Sequence, residues 1–216
     1  MSGNDKFMPI SISLKDRRCM VVGGGVFALG EVENLLEYDA AITVVAPKMH
    51  DKLEFHAKHG RVMLEEREYR SPEAAGYGLV VSASEDVAVN LQVHRDARDA
   101  GILVNVVDDL PHCDFIFPAV LRRDCLTAAI STDGKAPFVS GHLQVVLDNI
   151  FPAHWERLMK LAASFQSRVE SRWADDPVRK NARYSEFLEA DWKKMLEEMG
   201  DEQLEEELTR MLEMPQ

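Results

Sequence analysis

Small residues near the start of the chain have the spacing of a turn that can hold a phosphate. In VVGGGVFALGEVENLLEYDAAITVVAP, residues 21 to 47, Gly23, Gly25 and Ala28 fit the pattern G-x-G-x-x-G/A, and Gly24 completes a triple glycine. Gly23 permits the tight turn, Gly25 lets an anion approach the backbone, and Ala28 lets a helix lie close on the preceding strand. A helix beginning there adds unclaimed N–H groups and a partial positive charge, which suits a pyrophosphate. The second candidate is Asp108, which ends the apolar run ILVNVV. A carboxylate at the carboxyl end of a strand faces the crevice where open α/β sheets bind ligands, and can remove a proton there. Asp109 beside it is expected to point elsewhere.

These residues need a frame of alternating strands and helices. Cys19 to Val22 is apolar and β-prone, Val26 to Leu36 has helical character, and Ala41 to Val45 returns to strand, which makes a βαβ unit. Further strands are expected at Arg61 to Glu65, Gly78 to Ser82 and Ile102 to Val107, with a helix at Val87 to Ala100. The pattern predicts a parallel sheet with helices on both faces. Beyond Pro111, two β-prone runs, Phe115 to Leu121 and Leu126 to Thr132, read as a hairpin outside that sheet. DGKAP then leads into a helix reaching about Ile150, and the chain from Pro152 onward is helical in pattern with a strongly acidic end.

Composition limits the function. The 216 residues carry a net charge of -12, which argues against a broad nucleic-acid surface. No apolar run approaches the roughly 20 residues needed to cross a bilayer, so no membrane role is expected. The first residues have no secretory pattern, and Cys19, Cys113 and Cys125 are an odd number without a CxxC pair, so a reducing, cytoplasmic setting is expected. His56 and His59 have helical spacing but no third ligand, and no metal motif is read.

The acid that commonly binds a ribose about 20 residues past such glycines is missing. Ala46, Pro47 and Lys48 stand in its place, and Lys48 suits a 2′-phosphate. The choice between NAD and NADP stays open on this feature.

Taken in order, VVGGG, TVVAP, VVSASEDVAVN, ILVNVVDDLPHCDFIFPAVLRR and LTAAISTDGKAP resemble the family of dehydrogenases that convert precorrin-2 to sirohydrochlorin. That family occurs alone or as the N-terminal part of siroheme synthase, and some members also insert ferrous iron. The resemblance runs from about Pro9 to Pro152. It implies an α/β chain: a Rossmann-like NAD-binding domain over residues 1–112, a small α+β dimerisation segment over 113–150, and a C-terminal helical module over 151–216. It also implies a homodimer, NAD as cofactor and Asp108 as the general base. The cofactor set becomes Gly23, Gly24, Gly25, Val26, Phe27, Ala46, Pro47, Lys48, Ser82, Ala83, Ser84 and Asn90. His112, Arg122, Arg123 and Lys135 are expected to contact the polycarboxylate substrate.

Two departures qualify this. Relatives usually carry arginine and lysine where this chain has Gly30 and Glu31. They also carry a serine and arginines where it has Ala136, Gly141 and Gln144. Loss of cations removes charge-assisted contacts, which opens an alternative: a tetrapyrrole binder or sirohydrochlorin chelatase without NAD-dependent dehydrogenase activity.

Overall fold

Five short strands, four of them largely aliphatic, form an all-parallel sheet in the computed structural model, which describes residues 6–213. They are β1 (Arg18–Val22), β2 (Ala41–Ala46), β3 (Met63–Glu66), β4 (Leu79–Ser82) and β5 (Leu103–Val106). Their spatial order is β3-β2-β1-β4-β5, so the winding reverses between β1 and β4. The crossovers are α1 (Val26–Leu36), α2 (Asp51–Lys58) and α3 (Val87–Asp99). The Rossmann-like expectation is met. The helix α2 has no forerunner in the sequence beyond the spacing of His56 and His59.

Side-chain alternation along each strand builds two apolar layers. Val21, Val44 and Val81 join Ala28, Leu29, Val32 and Leu35 of α1 and Leu53 of α2 on one face. Met20, Val22, Val45 and Val80 join Val93 and Ala97 of α3 on the other. Each fully buried valine, leucine or methionine among them contributes about 1.5–3 kcal/mol relative to exposure. This two-sided burial explains why the strands read as continuous apolar runs.

The chain divides into two compact units, the first ending at Phe117 and the second beginning at Pro118. Residues 113–117 stay with the sheet. The Asp114 N–H donates to the Val104 carbonyl at 2.8 Å, Asn105 Nδ2 donates to the Phe115 carbonyl at 2.9 Å, and Phe115 and Phe117 pack on the first apolar layer. This return segment covers the edge of β5, which would otherwise present unpaired backbone groups. It also corrects the expected start of the hairpin. Its strands are β6 (Ala119–Arg123) and β7 (Leu126–Ile130), because Phe115 and Phe117 are drawn into the sheet's core and Pro118 has no N–H to donate to a ladder.

In the second unit the hairpin packs against α4 (Pro137–Ile150). Four helices follow: α5 (Trp155–Arg172), α6 (Pro177–Glu189), α7 (Trp192–Glu198) and α8 (Asp201–Glu213). They share a core of Phe165, Val169, Trp192, Leu204 and Leu208. Asp176 and Asp191 cap α6 and α7 by accepting from the Arg179 and Lys194 N–H groups.

Gly30 lies on the exposed side of α1, and a Cβ added there meets nothing within 4 Å. Gly30→Ala is therefore expected to raise stability by about 1 kcal/mol, read as a higher urea midpoint with unchanged slope. Phe165→Ala, at the centre of the helical core, is expected to cost about 3–5 kcal/mol in the same measurement.

Candidate nucleotide-binding and catalytic site

The site begins where β1 ends, at the reversal of strand order. The Gly23 N–H donates to the Val45 carbonyl at 2.9 Å, and the Ala83 N–H donates to the Val22 carbonyl at 2.7 Å, so the turn is pinned between β2 and β4. Gly23 has φ +127°, in the region that favours glycine. A Cβ there would lie 2.3 Å from the Ala83 carbonyl oxygen. At Gly24 a Cβ would lie 1.9 Å from the Lys48 carbonyl oxygen, and the Gly24 carbonyl accepts from the His50 N–H at 2.8 Å. Two loops thus close on the turn from opposite sides, and only hydrogen atoms fit on those α-carbons.

Gly25 behaves differently. It is the N-cap of α1 with no side-chain cap, and the nearest atom to a Cβ built there is Glu85 Oε1 at 3.6 Å. The first turn of α1 therefore offers its N–H groups to an anion, and no acid lies within that turn. Val26 and Phe27 are 70% and 63% exposed over the same opening. These features fit a pyrophosphate held by backbone dipoles.

The expected cofactor residues divide into those at the surface of the crevice and those that shape it. Pro47 and Lys48 are exposed beyond β2, while Ala46 is buried against Gly24. Ser82 is fully buried, and its hydroxyl donates to Asn90 Oδ1 at 2.7 Å. Asn90 Oδ1 also accepts from the Ser84 N–H at 3.1 Å, and Asn90 Nδ2 donates to the Ser84 carbonyl at 2.9 Å. Ser82 and Asn90 thus brace the loop that presses Ala83 against Gly23.

Asp108 is exposed just beyond β5 and has φ +60°. Aspartate tolerates this left-handed conformation better than most side chains. Val107 beneath it packs on the apolar layer shared with α1. Asp109 turns away, as expected: its carboxylate lies 2.8 Å from His112 Nδ1. The His112 ring meets His94 of α3 edge-on at 4.7 Å, and its carbonyl lies 3.1 Å from His94 Nδ1. Burial, with His112 beside it, holds His94 below the ordinary histidine range. His112 is thereby built into the flank of α3.

Glu31 is the residue whose position no local pattern shows. It is half-buried on α1, and Asn34 Nδ2 donates to its Oε2 at 3.3 Å. Burial, and to a lesser degree the negative charge of Asp108, raise its carboxyl above the ordinary range, against the pull of Asn34. Glu85 also went unselected from the sequence, since its approach to Gly25 depends on the β4–α3 loop.

The remaining expected residues lie in the second unit. Arg123 is spent internally: Nε donates to the Phe151 carbonyl at 2.7 Å, Nη1 to the Arg122 carbonyl at 2.8 Å, and Nη2 pairs with Asp148. Gln144 Nε2 donates to the Val120 carbonyl at 2.7 Å. Lys135 is exposed in the turn before α4, and Arg122 is exposed on β6. His56 is buried near Glu33 and Arg61, whereas His59 lies on Phe55, so the two do not converge. Among the described residues no cluster of three or more His, Cys, Asp or Glu could hold a metal. No described helix is long and apolar enough to cross a membrane.

The winding, the glycine turn and the open helix start define a Rossmann-like dinucleotide-binding protein of the α/β class. A family model described as "Putative NAD(P)-binding" matches residues 10–119. Siroheme synthases are among the relatives: that of Nitrosococcus oceani is 33% identical over 167 residues, covering 77% of this chain and 36% of the relative. That of Pseudoalteromonas atlantica is 36% identical over 168 residues (78% and 36%), and that of Actinobacillus pleuropneumoniae 32% over 199 residues (92% and 41%). The chain therefore spans 36–41% of the length of these relatives. A solved structure titled "SirC, precorrin-2 dehydrogenase" has the same fold, with TM-score 0.75 and 22% identity over 94% of this chain and all of that one. The chain belongs to the family whose model is described as putative NAD(P)-binding, and it is similar to part of the siroheme synthases.

Gly24→Ala is expected to displace the Lys48 loop, abolishing saturable nucleotide binding in calorimetry and lowering the melting temperature. Thiol chemistry gives an independent check. Burial pushes the Cys19 thiol up to about 11, opposed by Arg17, and burial also raises Cys113. The thiolate reacts, so in the folded protein at neutral pH alkylation should begin at exposed Cys125 and spare Cys19. Peptide mapping that finds Cys19 modified first would contradict this packing.

Proposed function

We propose that the chain is a precorrin-2 dehydrogenase of siroheme biosynthesis, oxidising precorrin-2 to sirohydrochlorin with NAD as the acceptor. The observation that carries the reading is the uncapped start of α1 just past β1, with Asp108 exposed just past β5, so that both follow the carboxyl ends of strands of one parallel sheet. The names borne by the relatives and by the solved structure support the substrate class.

Gly23, Gly24 and Gly25 and the first N–H groups of α1 would hold the pyrophosphate, with Val26 and Phe27 at its edge and Pro47 and Lys48 beside the adenosine ribose. Ala83 and Ser84 form the opposite wall, set by Ser82 and Asn90. When bound, the nicotinamide supplies the two-electron acceptor for a hydride. Asp108 takes the proton that the macrocycle gives up as that hydride leaves, so that hydride and proton together account for the loss of two electrons and two protons. Its exposure lets the acquired proton pass to water.

The second unit completes the proposal. Phe138, Val145 and Ile150 of α4 are 79%, 59% and 54% exposed. Such an apolar face suits pairing with a second copy, in line with the homodimer that the family resemblance implies. Lys135 and Arg122 are the cations that this segment would offer to substrate carboxylates.

A second reading is favoured by the acids around the crevice, Glu31 and Glu85. It is a tetrapyrrole binder or chelatase that no longer uses NAD.

Calorimetric titration with NAD, followed by a precorrin-2 oxidation assay, separates the two. The dehydrogenase reading expects saturable NAD binding, and expects Asp108→Asn to keep that binding while turnover falls by roughly a hundredfold or more. A well-folded protein that binds neither NAD nor NADP would transfer the assignment to the second reading.

A further inference from the structure

Asp108 is held by its backbone. Among the described residues its carboxylate has no hydrogen-bond or ion-pair partner, so the direction in which it points is set by the chain that carries it. The Asp109 N–H donates to the Val106 carbonyl at 3.1 Å, which closes a turn with Val107 and Asp108 at its centre. Asp108 takes the third position of that turn with φ +60°. Glycine suits this position best, and a residue with a side chain stays in it when its surroundings enforce it.

The surroundings that enforce it are centred on Asp109 and His112. Asp109 precedes the short helical turn Leu110–His112, yet its carboxylate does not cap that turn; Oδ2 instead lies 2.8 Å from His112 Nδ1. A carboxylate accepts and does not donate, so Nδ1 carries the proton of this bond. The main chain closes the same ring, with the His112 N–H donating to the Asp109 carbonyl at 2.9 Å. His112 is in turn fixed against α3: its ring lies edge-on to that of His94 at 4.7 Å, and its carbonyl is 3.1 Å from His94 Nδ1. Cys113 Sγ accepts from the Val106 N–H at 3.3 Å and lies 3.4 Å from the Asp109 carbonyl. The residue after Asp108 is thus tied to β5 through its N–H and to α3 through His112.

We propose that Asp109 and His112 form a positioning pair: by fixing the residue after Asp108, they hold the Asp108 carboxylate where it takes the proton of the macrocycle. This rests on the dehydrogenase reading above and adds two residues to it. The role differs from the contact with substrate carboxylates expected for His112, and the two leave different kinetic marks. A positioning group acts on the step in which Asp108 takes the proton, so its loss lowers kcat and leaves KM, whereas loss of a substrate contact raises KM with kcat kept.

The test measures precorrin-2 oxidation by the wild type, His112→Leu, His112→Asn, Asp109→Ala and the double variant Asp109→Ala with His112→Leu, and calorimetric NAD stoichiometry counts the intact sites in each. His112→Leu is expected to lower kcat per intact site about tenfold, with KM for precorrin-2 and the dissociation constant of NAD within about twofold of wild type, since small misplacements of a reacting group carry costs of this order. His112→Asn, whose amide N–H can replace that of the imidazole, is expected to recover most of the loss. Asp109→Ala is expected to match His112→Leu, and the double variant to fall no further, because each single change already breaks the pair. Where His112→Leu leaves no intact sites, Asp109→Ala carries the same comparison of kcat with KM. Unchanged kcat per intact site, or a raised KM with kcat kept, overturns the positioning role and leaves the dehydrogenase reading standing. So does a His112→Asn variant as slow as His112→Leu, or a double variant in which the two losses multiply. A well-folded wild type that binds NAD and does not oxidise precorrin-2 removes both readings.

Discussion

The close approach of three backbone segments at Gly23 and Gly24 is the constraint on which the rest of the first unit depends. The Ala83 carbonyl stands where a side chain on Gly23 would be, and the Lys48 carbonyl where one on Gly24 would be. Because these approaches are shorter than any Cβ contact, the loops after β2 and β4 can close on the end of β1 only through glycine. Closure fixes the direction in which α1 leaves the sheet, and with it the set of N–H groups that faces the crevice. The Ser82–Asn90–Ser84 hydrogen bonds hold one jaw of this clamp, and the His50 N–H to the Gly24 carbonyl holds the other.

Electrostatics then gives the crevice an unusual character. An anion placed at the start of α1 is met by backbone dipoles and by no cationic side chain of that helix. Acids come from elsewhere in the fold: Glu85 from the β4–α3 loop, Glu31 from the second turn of α1, and Asp108 from the end of β5. A dinucleotide can be held by geometry in such a place, because backbone donors pre-set at the right spacing need no reorganisation on binding.

The second unit shows how often charged and amide side chains serve the scaffold. Arg123 ties β6 to the end of α4 through the Phe151 carbonyl and Asp148, and Gln144 returns to the Val120 carbonyl. Long polar side chains that satisfy backbone carbonyls in this way remove costly unpaired groups. A sequence shows that such a residue is present; its partners decide whether it meets a ligand or a carbonyl of its own chain.

The sequence by itself determined the parallel sheet and its alternation with helices; the strand order came from the tertiary structure. The strand runs of valine and isoleucine, the glycine pattern and the helix from Val26 to Leu36 are local signals, set by side-chain period and backbone freedom within a few residues. The site was legible where it is made of local backbone: Gly23 to Gly25, the residues just after β2, and Asp108 at a strand end. Only the tertiary structure decided which side chains remain to act. Ser82 and Asn90 became braces, His112 joined His94 on the flank of α3, and residues 113–117 returned to cover β5 instead of opening the hairpin.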